Sequence, residues 1–289
     1  MSTPSPASAP ASGTLLVESA SMSNPLVRRL RARLGVIWPP CLVLVLVVIL
    51  WQIVPPALGA QSYILPTPTD VVRAISRNSS EFWQGVFTTS WTALVGFALS
   101  AILGVIVACV MATWRPVERT LFPYAVILST VPIIAVAPLI IVWFGFGSTS
   151  ILIIAVLVGF FPVVANTVVG LNSASTSSVD LFRIFHASTF QTLFKLRLWT
   201  ALPFLMAALR VTSTLAVVGT IVGEYVAGVG GSGGGLGYII VVANNRLETS
   251  YVFAAAMAAC VLGILFFWIV GWISGHVLGS WHESALKGE

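Results

Sequence analysis

Long stretches of this chain carry no charge. Residues 36–54, 87–112, 120–144, 149–170 and 251–275 contain no Asp, Glu, Lys or Arg, and 205–227 contains only Arg210 and Glu224. A helix needs about 20 apolar residues to cross about 30 Å of hydrocarbon. Lipid offers backbone groups no partner, so runs of this length demand elements that satisfy their own hydrogen bonds. The expectation is an all-α integral membrane protein with about six transmembrane helices. With 8% charged residues, against about a quarter in a soluble domain, the net charge of +5 is no signal for nucleic acid, and none is expected as a partner. Membrane lipid is.

The basic residues cluster at span ends and set the sidedness. Arg28, Arg29, Arg31, Arg33, Arg115, Arg119, Arg183, Lys195, Arg197 and Lys287 fall on one side, against Arg73, Arg77 and Arg246 on the other. By the positive-inside bias the first side is cytoplasmic, and both termini lie there. The organisation read from this is a disordered cytoplasmic tail over 1–35, too polar and Ser/Ala/Pro-rich to bury, and a first span at 36–54. An extracytoplasmic segment at 55–86 follows, with a short surface helix at 69–77. Then come a core at 87–276 and a cytoplasmic tail at 277–289. The third span holds Pro123, Pro132 and Pro138 and should be kinked or partly unwound. Broken membrane helices persist where neighbours or a cavity satisfy the freed backbone groups, which makes Pro132 and Pro138 candidates for a pathway wall.

The longest polar interruption, 171–204, carries two helix starts. Ser177 with Asp180, and Ser188 with Gln191, have capping-box spacing, so two short helices are expected over 178–186 and 189–198. The first gathers Leu181, Phe182 and Phe185 on one face, an apolar patch that calls for a partner on the cytoplasmic side. His186 stands where that helix should end, a place that favours a left-handed backbone, and His is among the non-glycine residues tolerated there.

Spacing in this stretch resembles the cytoplasmic coupling loop of binding-protein-dependent ABC permeases. Asp180 takes the position of the family's Glu, Leu181 and Phe182 those of two Ala, His186 that of a Gly, and Leu196, Leu198 and Trp199 those of Ile-x-Leu-Pro. The register fits without a gap although most letters differ. Leu-Pro-Thr-Pro at 65–68, Val-Pro-Ile-Ile-Ala-Val-Ala-Pro-Leu at 131–139, Ala-Leu-Arg at 208–210, Gly-Glu at 223–224 and Gly-Leu-Gly-Tyr-Ile-Ile at 235–240 resemble the nitrate, sulfonate and taurine branch. The resemblance implies a MetI-like permease bundle in a bacterial inner membrane. It further implies a separate ABC ATPase, an extracytoplasmic substrate-binding protein and a second permease copy as partners, with a homodimer the first expectation. ATPase coupling would then fall to Asp180, Leu181, Phe182, Arg183, Phe185, His186, Ser188 and Gln191. Residues 214–224 with 186–188 look closest to permeases of thiamine-precursor pyrimidines or of riboflavin, with sulfonate or nitrate as further options.

Glu224 is the acidic residue expected inside a span. A straight helix puts it about 21 Å beyond Arg210, which can snorkel to the headgroups. A charge in hydrocarbon costs roughly 2.5–3.5 kcal/mol, so such residues usually face a pathway or a seam between subunits.

No enzymatic chemistry is expected. There is no G-x-x-x-x-G-K-[ST], and the lysines are only Lys195 and Lys287, so nucleotide hydrolysis belongs to another subunit. Gly228-Val-Gly-Gly-Ser-Gly matches a dinucleotide fingerprint but joins two spans instead of a strand and a helix. Cys41, Cys109 and Cys260 lie in apolar runs without metal spacing, and no cofactor or metal is implied. Gly230-Gly-Ser232-Gly with His276 raises a rhomboid-like serine protease as a minor alternative, opposed by their placement at opposite membrane faces. A stand-alone secondary carrier or channel is the other alternative, disfavoured by the scarcity of ionisable residues for ion coupling.

Overall fold

A computed structural model describes residues 25–59, 61, 63–228 and 234–286, and the fold is built from α-helices with no strand among them. Residues 1–24, Ser232 and Lys287 lie outside the described residues, and with them the tail and protease expectations. The chain divides into two units, 1–50 and 51–289. The first holds most of helix α1 (Pro25–Ala57). That helix starts well before residue 36, so the segment 25–35 is helical.

The second unit begins with the last turns of α1, where the Trp51 indole N–H donates to the Pro66 carbonyl at 3.0 Å and the Gln52 amide to Thr69 at 3.2 Å. These bonds seat helix α2 (Pro68–Arg77), whose start is fixed locally. Thr67 accepts from the Asp70 N–H while the Asp70 carboxylate accepts from the Thr67 N–H, a complete capping box with Pro68 at the first position.

Four of the described helices are long and apolar enough to span a membrane: α3 (Ser79–Thr113), α6 (Ser148–Leu171), a continuous rod over Thr189–Ala227, and Thr249–Leu278 of α11 (Thr249–Leu286). Helices α4 (Arg115–Ser129) and α5 (Ile133–Phe144) make a fifth if taken as one broken span; Leu42–Ala57 of α1 is apolar but shorter. The break is sharper than a kink, at 102°. Pro132 supplies no N–H and pushes Val131 away from helical geometry, and two prolines inside the flanking helices weaken each of them. Gly145 and Gly147, both at positive φ, turn the chain from α5 into α6.

The rod is composite. Helix α8 (Thr189–Thr192) passes into a stretch of i→i+5 bonding at Leu193–Arg197 and then into α9 (Leu198–Ala227). The second short helix expected at 189–198 is therefore the root of a span and not a separate element, because nothing between Arg197 and Leu198 stops helical bonding. At the centre of the bundle α9 packs along α6, which also packs on α3; Ser100 of α3 donates to Val156 of α6 at 2.8 Å. Arg210 lies with its guanidinium 4.2 Å from the ring centre of Phe267 on α11, a cation–π contact. A further helix, α10 (Leu236–Asn245), was not expected from the sequence. It buries Leu236, Gly237, Ile239 and Ala243.

Candidate functional site

The polar interruption folds into helix α7 (Thr176–Ile184) followed by the root of the rod. Its start differs from the expected one: the cap is Ser175, whose hydroxyl accepts from the Ser178 N–H at 3.2 Å, and not Ser177 with Asp180. Several hydroxyls in succession can each cap, and the one with extended backbone before the first turn does so. The helix ends as expected. His186 adopts φ 50°, its N–H reaches the Arg183 carbonyl at 2.9 Å, and the Ala187 N–H reaches Phe182 at 2.9 Å, the paired bonds of a Schellman terminus. Ser188 and Gln191 then form the complete capping box read from the sequence.

Helix α7 has a polar and an apolar face, and the apolar one is exposed. Thr176, Val179, Asp180 and Arg183, at i, i+3, i+4 and i+7, share one face and line an open cleft, in which the Asp180 and Arg183 side chains stay exposed, whereas Leu181, Ile184 and Phe185 form a separate apolar face and are 52%, 72% and 76% exposed. Phe182, expected on this face, is half-buried; Ile184 takes its place because i, i+3, i+4 selects Leu181, Ile184 and Phe185. Phe190 and Phe194, also exposed, stack on one another with centroids 5.8 Å apart.

The cleft has a volume of about 550 Å³ and lies between the start of α4, the end of α6 and the inner face of α7. Asp180 and Arg183 form an exposed ion pair at 3.3 Å. Arg197 donates to the Ala112 carbonyl at the end of α3 at 3.1 Å, and Asn172 donates to Glu118 at 2.6 Å. Arg115, Arg119, Arg183 and Arg197, remote in sequence, thus converge at one end of the bundle.

Near the other end of α9, Glu224 is 1% exposed. Its carboxylate accepts from the Thr89 hydroxyl at 2.8 and 2.9 Å and from the Gly237 N–H at 2.9 Å; Thr89 in turn accepts from the Leu236 N–H at 2.8 Å. Two of the backbone donors that open α10 are thereby satisfied by side chains of α3 and α9, a cap made from other helices. Gly235 and Gly237 permit it, since a Cβ on Gly235 would run into the Glu224 carboxylate and one on Gly237 into the Ile221 carbonyl. Thr89 carried no signal in the sequence, whereas Glu224, the acidic residue inside a span, did.

At the α4–α5 break a cavity of about 270 Å³ is lined by Ser129, Val131, Ile133, Leu157, Pro162 and Leu215. Pro132 sits at the break itself; Pro138 is on the exposed side of α5, and Glu224 does not line this cavity. The sequence-derived pathway residues are thus not gathered into one place. No group of metal-ligating side chains occurs among the described residues.

A family model described as "Binding-protein-dependent transport system inner membrane component" matches residues 100–278. The chain is 31% identical over 234 residues to a probable ABC transporter permease protein of Haemophilus influenzae, covering 81% of this chain and 94% of that protein. It is 34% identical over 233 residues to a formylaminopyrimidine transport permease of Halalkalibacterium halodurans, covering 79% and 90%. With a riboflavin transport system permease of Chloroflexus aurantiacus it shares 33% identity over 252 residues, covering 86% and 92%.

Proposed function

Since this chain belongs to the binding-protein-dependent transport system inner membrane components, and so is an ABC transporter permease, we propose that it moves a small solute inward by alternating access, driven by a separate ATPase that docks on α7. The end of the bundle bearing Arg115, Arg119, Arg183 and Arg197 is the cytoplasmic end, in keeping with the charge bias. Both termini are cytoplasmic. A binding protein delivers solute to the opposite face, and two copies of the chain pair around the pathway. Two relatives named for a formylaminopyrimidine and for riboflavin support a nitrogen heterocycle of the vitamin-precursor type as solute.

The observation that carries this reading is the exposed apolar face of α7. Leu181, Ile184 and Phe185 are exposed together on a face of the helix apart from its Asp180–Arg183 pair, and burying such a side chain is worth about 1.5–3 kcal/mol. A partner with an apolar groove recovers that energy. Coupling follows because α7 is joined through His186 and the Ser188 cap to the rod of α8 and α9, so a displaced partner displaces a span. Glu224 contributes by holding α10 to α9 and α3. Pro132 contributes by letting α4 and α5 move as separate pieces, and Pro138 by loosening α5 within its own length.

The test is co-purification of the ATPase with Leu181→Asp, Phe185→Asp and Arg183→Ala permeases at equal membrane levels. The two Asp variants should lose the ATPase, since each replaces a buried contact with a desolvated charge. Arg183→Ala should keep it, an exposed ion pair being worth about 0–1 kcal/mol. Retention of the ATPase by both Asp variants, with normal uptake, overturns the assignment.

A further inference from the structure

The cleft behind α7 has an electrostatic surplus that docking of its outer face does not use. Of its two carboxylates, Glu118 accepts from Asn172 and Asp180 pairs with Arg183. Arg197 is tied to Ala112, while Arg115 and Arg119 have no hydrogen-bond or ion-pair partner among the described residues. Four guanidinium groups against two carboxylates leave two positive charges facing an open volume of about 550 Å³. Arg115 and Arg119, at i and i+4, project from one face of α4 toward the α7 side. Such convergence is repulsive until an anion joins it, and the guanidinium fork fits phosphate oxygens in pairs.

Depth identifies where the anion comes from. Trp114, immediately before Arg115, and Trp199, just beyond Arg197, are both exposed, and exposed tryptophans near span ends mark the headgroup layer. Ala112, which accepts from Arg197, is at the last turn of span α3. The cleft therefore opens at the level of lipid phosphates, and basic pockets between membrane helices on the cytoplasmic side bind anionic headgroups.

We propose that the cleft between α4 and α7 is a seat for a phosphate group, presented by an anionic phospholipid or as the free ion, with Arg115 and Arg119 as its main ligands and Asn172 and Thr176 at its rim. An occupant bridges α4 to the polar side of α7 and braces the helix whose other side meets the ATPase. The assignment of leaflet rests on the functional reading above; the existence of the site does not.

Binding is measured on the purified full-length chain in uncharged detergent by titration calorimetry with short-chain phosphatidylglycerol, short-chain phosphatidylcholine and inorganic phosphate, for wild type, R115Q/R119Q and R115K/R119K. Phosphatidylglycerol should bind wild type at least tenfold more tightly than R115Q/R119Q, with phosphatidylcholine weak for both. R115K/R119K should recover part of the affinity, and an unchanged thermal midpoint in the Gln variant keeps folding out of the comparison. Saturation by phosphatidylglycerol without competition from inorganic phosphate assigns the lipid as source, and binding of phosphate alone assigns the free ion. Equal affinity of wild type and R115Q/R119Q for every ligand, or no binding by wild type, overturns the site. Because the ATPase is absent from this experiment, loss of the docking interpretation would leave its outcome intact, and the reverse holds too.

Discussion

Replacing Thr89 by Val removes one oxygen and keeps the shape, and it separates the cap on α10 from every other role of Glu224. The hydroxyl is a relay: it accepts from Leu236 and donates to the Glu224 carboxylate, in a site with no access to water. Without it the Leu236 N–H is buried and unpaired, at about 1–3 kcal/mol, and the carboxylate loses a charge-assisted bond worth about 1.5–3 kcal/mol. The sum, about 2.5–6 kcal/mol, falls on the junction of α3, α9 and α10. Glu224→Gln should be far milder, within about 1 kcal/mol. Its amide oxygen still accepts from Gly237 and its amide N–H can donate to Thr89, whose second lone pair keeps Leu236. Hydrogen exchange at the amides of Leu236 and Gly237 reads this directly. The low end of the range corresponds to roughly 60-fold faster exchange in Thr89→Val, with Glu224→Gln close to wild type and uptake altered only as far as the carboxylate's charge matters. Wild-type protection at both amides in Thr89→Val would refute the cap; greater loss in Glu224→Gln than in Thr89→Val would refute the relay.

Three further outcomes are expected. His186→Gly should equal or exceed wild type in thermal midpoint and His186→Val should lose roughly 1–2 kcal/mol of stability, because φ 50° suits glycine and crowds a β-branched residue; a stable Val variant would contradict the left-handed terminus. Gly159→Ala should reduce folded yield in detergent, since its Cβ would stand 2.6 Å from Thr212 Cγ2 and 2.9 Å from Ser100 Oγ at a helix contact that depends on small residues; an unchanged yield and midpoint would mean that α6 can shift freely. With native cysteines replaced by Ser, a cysteine at Gln61 should react with an impermeant reagent from outside sealed cells and one at Thr189 should not. Labelling of Thr189 from outside would reverse the orientation.

What could be read in the sequence was what neighbours in sequence decide. The capping box at Ser188 is written in four consecutive positions, the terminus at His186 in one, and the charge-free runs need only hydropathy. Features set by distant partners were not legible. Thr89 lies 135 residues from Glu224, and no local pattern joins them. Helix α10 hid in what read as a Gly-rich connection, because its first donors are satisfied by other helices and it carries no cap of its own. The proline-rich third span announced a kink, but its angle depends on how α4 and α5 pack on α6. For α7 the sequence supplied the right helix with the wrong cap and one wrong residue on its outer face, since competing serines and adjacent apolar residues are sorted only by the helix's actual phase.

The continuity of α8 with α9 has a mechanical consequence. From Thr189 to Glu224 the rise is about 53 Å at 1.5 Å per residue, well beyond the thickness of the hydrocarbon, and the chain makes no loop along the way. Such a rod is a lever arm: tilting it by about 5° about its lower end carries the upper end roughly 5 Å sideways, the scale of a helical turn. Compliance is confined to two places, the i→i+5 stretch at Leu193–Arg197 and Pro203, both in its lower half. Stiffening either one, without touching any surface a partner or solute contacts, should change how faithfully a small movement at one membrane face is reproduced at the other.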